Sequence, residues 1–304
     1  MDPRQADLQL RTESVKSMMT DPRKDSSDDG DVVKAGRRRN YGQWLCAAVI
    51  LFYAAGLIYS LSQNPNIDYP LIGGYLTNQA ILDGLVTTLK LTLISGAVGW
   101  IVGILVAVCR LSSNKVLSTL SLLFIWLFRG SPLLVQILIW GNLALLFQTI
   151  SFGIPFTGIS FFEADTNLIV TPLVAAILGL GLNEAAYMAE IVRAGIISVG
   201  KGQGEAAKAL GMSRALTMRR IVLPQALRII IPPTANQMIN LLKASSLVSV
   251  IAGGDLLTNA QIISASNLKT VELLLVATFW YLAVISVASV GQYFLERRYE
   301  RGYR

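Results

Sequence analysis

The chain contains 304 residues, of which 53% are hydrophobic, and its mean hydropathy is +0.53. This composition is typical of a membrane protein and excludes an ordinary soluble domain. The net charge of +7 does not indicate a nucleic-acid partner, because all 26 Lys and Arg residues except Lys90, Lys243 and Lys269 fall in segments that we predict to be cytoplasmic. The basic residues therefore report topology, through the positive-inside rule.

Residue types that build metal and redox sites are scarce. The two cysteines, Cys46 and Cys109, lie in apolar segments, and there is no histidine in the sequence. Neither a disulfide framework nor a zinc site is expected from this usage, and the commonest metal ligand and proton shuttle is missing. We predict no metal site and, since no hydrolytic or redox constellation is visible, no enzymatic activity in this chain.

The N-terminal part divides into a polar tail and an apolar helix. Residues 1–40 are polar with mixed charges, which predicts a disordered cytoplasmic tail. The first span, predicted over Trp44–Leu61, follows a run of three arginines at 37–39 that holds the N-terminus inside. Residues 64–78 form a predicted outer loop without Lys or Arg. We interpret residues 41–78 as an additional N-terminal transmembrane helix and its outer loop.

The second span is predicted over Ile81–Leu111. Within it, Gly99 and Gly103 have the small-xxx-small spacing that permits close packing against another helix. We therefore expect this span to have a tightly packed partner in the bundle.

The next apolar stretch is too long for one span of ~20 residues. It is broken by Arg-Gly-Ser-Pro at 129–132, which predicts an interfacial elbow over 116–128 followed by a third span over Leu133–Phe147. Arg129 is interpreted mainly as an anchor at the inner boundary. The following outer loop, residues 148–167, lacks Lys and Arg.

Three more spans complete the predicted all-α fold of six transmembrane helices. They are placed at Leu168–Ile197, at about Ala226–Ile251 with an interruption at Pro232-Pro233, and at Val271–Phe294. An outer loop containing Asp255 joins the last two, and residues 296–304 form a basic inner tail. Six spans place both termini in the cytoplasm.

The segment 198–224 is polar and basic although it lies between two apolar regions. Glu205 to Leu216 is predicted to be a helix, with the Glu205 carboxylate in the first turn, where it suits the helix dipole. Gly211 interrupts this helix at a bend, and Pro224 can begin the next one. The pattern predicts a short helix across the membrane face, a bend, and a new helix that enters the bilayer. An amphipathic interfacial helix without a partner is the alternative.

Five features at fixed spacing resemble the cytoplasmic EAA loop of ABC-importer permeases: Glu205, Ala206, Ala207, Gly211 and the Ile-Val-Leu-Pro that ends at Pro224. The resemblance implies that this loop is a coupling helix that docks on an ATP-binding subunit. Gly202 lies at its start. ATP and magnesium would then be bound by the partner ATPase and not by this chain.

Residues 79–300 resemble the polar amino-acid uptake permeases of the histidine, glutamine and arginine type. The resemblance rests on the Arg-Gly-Ser-Pro elbow, on Ala186-Tyr187-x-Ala-Glu190-Ile-Val-Arg193 and on the coupling loop. It implies a type I ABC-importer permease core over 79–295, working by alternating access. It also implies a second permease, the same or a homologous chain, two ATPase subunits and an external solute-binding protein. The tail and first span depart from the five-helix core of that family.

Polar residues inside the spans are the candidate substrate-binding groups, because charges are costly at the bilayer centre. A zwitterionic amino acid needs an acceptor for its ammonium group and donors for its carboxylate. The predicted binding residues are Asn183, Glu184, Tyr187, Glu190, Asn240, Lys243 and Gln136.

One of these assignments, Glu190, and one lysine outside the set, Lys90, have structural alternatives. Glu190 lies one turn from Arg193, so a structural ion pair is as well supported as substrate binding. Lys90 is better explained by snorkelling to the outer interface than by substrate contact.

The excess of carboxylates favours a cationic amino acid. An ion-driven secondary transporter, or a membrane scaffold, is the alternative function. The former does not need the coupling loop, and the latter does not need the polar face of the fourth span.

Overall fold

The computed structural model describes residues 41–154 and 159–300, which are almost entirely helical. The predicted N-terminal tail, residues 1–40, and the last four residues lie outside the described residues. The α-helices in chain order are α1 Tyr41–Ser62, α2 Tyr69–Leu76, α3 Gln79–Arg110, α4 Lys115–Gly130, α5 Leu133–Gly141, α6 Leu143–Leu146, α7 Thr166–Ile169, α8 Pro172–Ile197, α9 Lys201–Ala209, α10 Arg214–Thr217, α11 Leu223–Ala244, α12 Leu256–Asn267 and α13 Thr270–Glu300.

Four described helices, α1, α3, α8 and α13, are long and apolar enough to cross a membrane. The number rises to six if each of two bent helix pairs counts as one span: α4 with α5, and the run from Arg214 to Ile251 with α12. The all-α, multi-pass class expected from the sequence is therefore confirmed, and six spans remains a prediction.

The chain divides into two compact units, residues 1–64 and 65–304. In the first unit, α1 matches the predicted first span closely, and none of its residues is buried. The second unit contains every other helix that the structure describes and three clusters of buried apolar side chains.

The central contact of the second unit is between α3 and α8, and glycines make it possible. A Cβ atom added at Gly99 would lie 2.5 Å from Glu184 Cγ, and one added at Gly103 would lie 2.7 Å from Met188 Cβ. Real Cβ atoms do not approach so closely, so only glycine permits this helix separation. The expected tight packing at these two positions is confirmed.

Helices α4 and α5 meet at an angle of 100°, with Ser131 and Pro132 between them. The backbone turns here because Pro132 has no N–H to continue the helix of α4. The predicted elbow is confirmed, but α5 ends at Gly141 and is only 9 residues long. At 1.5 Å per residue it covers roughly 14 Å, about half of a bilayer core. The expected single helix over Leu133–Phe147 is therefore divided into α5 and the short α6, and a full span there stays a prediction.

The fifth predicted span is not interrupted where we expected. Pro232 and Pro233 both lie inside α11, which continues to Ala244. The helix instead narrows to a 3₁₀ segment, Ser245–Ile251, and ends where Ala252 and Gly254 adopt positive φ angles. Tertiary packing of Ile230, Ile239 and Leu241 holds the helix together across the two prolines.

All three predicted outer loops contain regular structure that was not expected from the sequence. Helix α2 lies in the first loop and α12 in the last. The middle loop forms a hairpin of strands β1 Thr149–Ile154 and β2 Ile159–Asp165, paired antiparallel. These short elements lack the long apolar periodicity that marks a span.

Lys269 lies in a predicted outer loop, where the positive-inside rule disfavours a basic residue. It has two acidic neighbours. Its Nζ atom lies 3.8 Å from Asp68 Oδ2 and 3.7 Å from Glu272 Oε1. Asp68 also caps α2, and its backbone N–H donates to Glu272 Oε1 at 3.2 Å. The lysine is therefore neutralised in a cluster that joins the start of α2 to the start of α13.

Candidate functional site

A polar cavity with a volume of about 510 Å³ lies between the α4–α5 elbow, the middle of α8 and the second half of α11. Four of the seven predicted binding residues line it: Asn183, Glu184, Tyr187 and Asn240. The other lining residues were not predicted to bind, and they are Arg129, Gly130, Ser131, Pro132, Leu133, Gln237, Leu241 and Ala244.

Glu184 is the buried carboxylate of this cavity, with 1% of its surface exposed. Its Oε2 atom accepts a hydrogen bond from Gln237 Nε2 at 3.1 Å. Its Oε1 atom has no hydrogen-bond partner among the described residues. A buried polar atom without a partner costs ~1–3 kcal/mol, and more when it is charged. Glu184 therefore has one acceptor atom available to a hydrogen-bond donor.

The position of Glu184 is fixed from behind by α3. Because Gly99 has no side chain, the Cβ and Cγ atoms of Glu184 fit directly against its backbone. Ser95, one turn before Gly99, is fully buried, and its hydroxyl also lacks a partner among the described residues.

Gln136 does not line the cavity but holds the elbow that forms one wall. Its Nε2 atom donates to Phe128 O at 2.9 Å, Ser131 O at 3.1 Å and Ser131 Oγ at 2.9 Å. Asn183 of α8 donates to the same Phe128 carbonyl at 2.8 Å. These amides satisfy carbonyls left free by the break between α4 and α5, and they tie the elbow to α8.

Arg129 supplies the positive charge of the cavity wall. Its guanidinium lies 5.1 Å from the centre of the Tyr187 ring, within the range of a cation–π contact. Our interpretation as mainly a boundary anchor missed this contact. The missed signal was the position of Arg129 directly before a helix break, which turns its side chain toward α8.

Besides Gln136, two predicted binding residues lie away from the cavity lining. Glu190 forms an ion pair with Arg193, whose Nε atom donates to Glu190 Oε2 at 3.0 Å. This geometry matches the alternative in which Glu190 belongs to a structural ion pair. Lys243 is exposed on α11. Lys90, also exposed, lies on α3 and not in the cavity lining.

Residues 198–224, the predicted coupling segment, form a short surface helix, a turn and a second helix. Gly202, Glu205 and Ala206 are exposed on α9, whereas Ala207 is buried. The helix begins at Lys201, earlier than predicted, so Glu205 is not in the first turn and that expectation is wrong.

Gly211 ends α9 and does not interrupt a longer helix. It has φ +74°, its N–H donates to Lys208 O, and the N–H of Met212 donates to Ala207 O at 3.0 Å. These two bonds are those of a Schellman cap, in which glycine avoids the steric cost of the left-handed conformation.

Pro224 follows a π-helical turn, Met218–Val222, that links α10 to α11. Helix α11 begins at Leu223, so Pro224 lies in its first turn as predicted, and the π turn joins it to α10 without a break. A proline within a helix clashes with the carbonyl four residues earlier. The wider π turn at this point relieves that clash and lets the helical run continue.

The described fold and cavity define a multi-pass membrane protein with a polar chamber between its spans, as expected of a transport component. The family model described as binding-protein-dependent transport system inner membrane component matches residues 99–301. The chain therefore belongs to this family of inner-membrane transport components.

Individual relatives are amino-acid permeases. The arginine transport system permease protein ArgU of Corynebacterium glutamicum is 43% identical over 272 residues, 89% of this chain and 84% of that protein. The probable amino-acid ABC transporter permease protein YckA of Bacillus subtilis is 37% identical and covers 72% of this chain and 88% of its own. The alignment with the C. glutamicum protein covers so much of this chain that the unaligned part is shorter than the segment that precedes α1. Helix α1 therefore falls within the alignment.

A solved structure shares both fold and sequence with this chain. It is the crystal structure of an amino acid ABC transporter with histidines, which is 33% identical, with a TM-score of 0.65 over 76% of this chain and 99% of that one. The inward-facing MetNI methionine ABC transporter, 18% identical with a TM-score of 0.54, shows the fold alone.

Proposed function

We propose that this chain is the permease subunit of an ATP-driven importer of cationic amino acids. The observation that carries the proposal is the buried carboxylate of Glu184, which lines the polar cavity and has one oxygen without a hydrogen-bond partner in the described part of the chain. The substrate class is also supported by relatives named as arginine permeases, from C. glutamicum and from B. subtilis.

The cavity separates its charges as an amino acid requires. Glu184 accepts from an ammonium or guanidinium group of the substrate, and this contact occupies its free Oε1 atom. Arg129, held near Tyr187, lies in the same lining and donates to the substrate carboxylate. Asn240 and Gln237 supply further amide groups on the α11 side.

The energy comes from ATP hydrolysis on a partner subunit, which binds the magnesium and the nucleotide. Helix α9 is the docking element, since Glu205 and Ala206 are exposed and Leu210 at its end has 80% of its surface exposed. An apolar side chain so exposed is typical of a contact surface. Movement of α9 passes to α11 through the continuous helical run from Arg214.

A second permease, identical or homologous, completes the pathway, and an external solute-binding protein delivers the substrate. Both termini lie in the cytoplasm in this arrangement, with the hairpin of β1 and β2 outside. The exposed polar side chains on α11, Asn236, Asn240 and Lys243, face the second permease across the pathway.

The test is uptake into proteoliposomes that contain the permease with its ATPase and binding protein. Glu184→Gln should reduce ATP-dependent arginine uptake at least tenfold, since a charge-assisted hydrogen bond contributes ~1.5–3 kcal/mol, and leave basal ATP hydrolysis intact. Glu163→Gln, an exposed change on β2, is the control. Normal uptake by Glu184→Gln, or loss of the whole complex, contradicts the assignment. Uptake without ATP would contradict the class of transporter.

A further inference from the structure

A second cavity, of about 740 Å³, is lined by a different set of α8 and α11 residues from the polar one. We call it the apolar groove; it runs between α3, α8, α11 and the end of α13, and is lined by Trp100, Ile104, Val108, Met188, Leu227 and Leu295 among others. The lining includes a hydroxyl group, that of Thr234. This hydroxyl donates to Ile230 O at 2.7 Å within its own helix. The groove therefore suits an apolar ligand.

The length of the groove matches one leaflet of a membrane. Its α3 wall extends from Trp100 to Leu111, which at 1.5 Å per residue is roughly 16 Å. Half of a bilayer core is about 15 Å. The groove opens to the surroundings of the chain, because Trp100 has 39% and Val108 59% of its surface exposed.

One end of the groove is basic. Its lining residues Met218 and Leu295 are followed in the chain by Arg219-Arg220 and Arg297-Arg298. All four arginines are exposed, and none forms an ion pair with another residue in the described ranges. The adjacent carboxylate, Glu296, accepts a hydrogen bond from Gln292 instead.

Arg110 is not part of this set. Although it precedes Leu111 of the groove, its guanidinium donates to Ser118 Oγ of α4 at 2.7 Å.

We propose that the apolar groove binds the acyl chain of an anionic phospholipid, whose phosphate is held by Arg219, Arg220, Arg297 and Arg298. One guanidinium group can bind two phosphate oxygens at once. Basic pockets between membrane helices on the cytoplasmic side bind anionic head groups. A helix from a second permease copy would fill the apolar part but leave the four arginines without counter-charge. The lipid also contacts Leu223 and Leu227, in the first turns of α11, beside the coupling segment.

The test uses Trp100 as a fluorescent reporter inside the groove. In the full-length chain, Trp44, Trp126, Trp140 and Trp280 are replaced by Phe, and the protein is reconstituted in phosphatidylcholine vesicles. A fraction of the lipid carries brominated acyl chains, on phosphatidylglycerol or on phosphatidylcholine. Brominated phosphatidylglycerol should bind with a roughly fivefold or greater preference, judged from the quenching of Trp100.

The matched control is a chain in which Trp126 is the only tryptophan. Trp126 has 69% of its surface exposed on α4 and does not line the groove, so both brominated lipids should quench it equally. In the Trp100 reporter, Arg297→Gln combined with Arg298→Gln should abolish the preference for phosphatidylglycerol.

Three results would overturn the proposal. Equal quenching of Trp100 by both lipids means ordinary annular lipid, and no quenching by either means that a protein helix covers the groove. A preference that survives the loss of both arginines removes the phosphate site. Native mass spectrometry of the unmodified complex and of the double-arginine variant gives a second measurement: retained phosphatidylglycerol should be lost in the variant, and equal retention contradicts the proposal.

Discussion

At the scale of single residues, the cavity depends on a glycine, Gly99, that does not line it. Gly99→Ala would place a Cβ atom 2.5 Å from Glu184 Cγ and 2.7 Å from its Cβ, so Glu184 must shift. Overpacking of this kind costs about 1–3 kcal/mol. We expect a lower unfolding temperature and weakened substrate uptake, measured on the purified complex.

Gly291→Ala is the control for this change. Gly291 lies in α13, and nothing lies within 4 Å of a Cβ added there. Because alanine favours a helix over glycine by roughly 0.5–1 kcal/mol, this variant should be neutral or slightly stabilised. Equal behaviour of the two variants would show that the contact between Gly99 and Glu184 does not position the carboxylate.

The sequence predicted the α8 part of the cavity better than the rest. Asn183, Glu184 and Tyr187 share one helical region, and a carboxylate within a span is conspicuous because of its cost. Arg129 and Gln237 were missed as cavity-lining residues because their places in the lining depend on the direction of the elbow and on the rotation of α11. Both of these are set by tertiary packing, which helical spacing along one segment does not reveal.

At the scale of elements, the coupling segment depends on the conformation of Gly211. With φ +74°, a β-branched residue is strained there, and the left-handed conformation costs a non-glycine residue about 1–2 kcal/mol. We expect Gly211→Val to unfold the cap of α9 and to uncouple ATP hydrolysis from uptake, while the permease still inserts. Uptake, ATPase activity and co-purification of the ATPase measure this.

Gly204→Ala, in α9 itself, is the paired control, since nothing lies within 4 Å of a Cβ atom there and its φ is not positive. It should retain coupling. Wild-type uptake by Gly211→Val would mean that the Schellman cap is not needed for docking.

The long helices could be predicted from composition, but their ends could not. Apolar length predicted α1, α3 and α13 to within a few residues, apart from the inner end of α13. Proline rules misplaced the break in the fifth span, because Pro232 and Pro233 are absorbed within α11, and the chain turns instead where Ala252 and Gly254 take positive φ. Local propensity is a weak guide where packing on both sides of a helix stabilises it.

At the scale of the whole molecule, the distribution of basic residues predicts the orientation. In a chain whose Cys46 and Cys109 are replaced by serine, a cysteine introduced at position 160 should react with an impermeant thiol reagent in intact cells. One introduced at position 10 should react only after the membrane is opened. Ser160 lies on β2, and position 10 lies outside the described residues. Labelling at position 10 in intact cells would place both positions outside the membrane. The predicted odd number of spans between them would then be wrong.

The division of the chain into two units leads to a prediction about the first. Unit 65–304 contains all three clusters of buried apolar residues and the complete lining of the polar cavity, whereas α1 buries none of its side chains. A chain that begins at Pro65 should therefore still fold. Its orientation should also persist, because Arg110, Lys115 and the arginines of the coupling segment remain to hold those loops inside.

The measurement compares the truncated and complete chains in membrane insertion, co-purification with the ATPase and ATP-dependent uptake. We expect insertion and ATPase binding to be retained, since α9 and its cap belong to the second unit. A matched control replaces Arg37, Arg38 and Arg39 by glutamine in the complete chain, which separates the loss of charge from the loss of the helix. If the truncated chain inserts in the opposite orientation or aggregates while the glutamine variant is normal, α1 itself directs the folding of the core. In that case the match of the C. glutamicum permease across α1 reflects a structural requirement of this branch of the family.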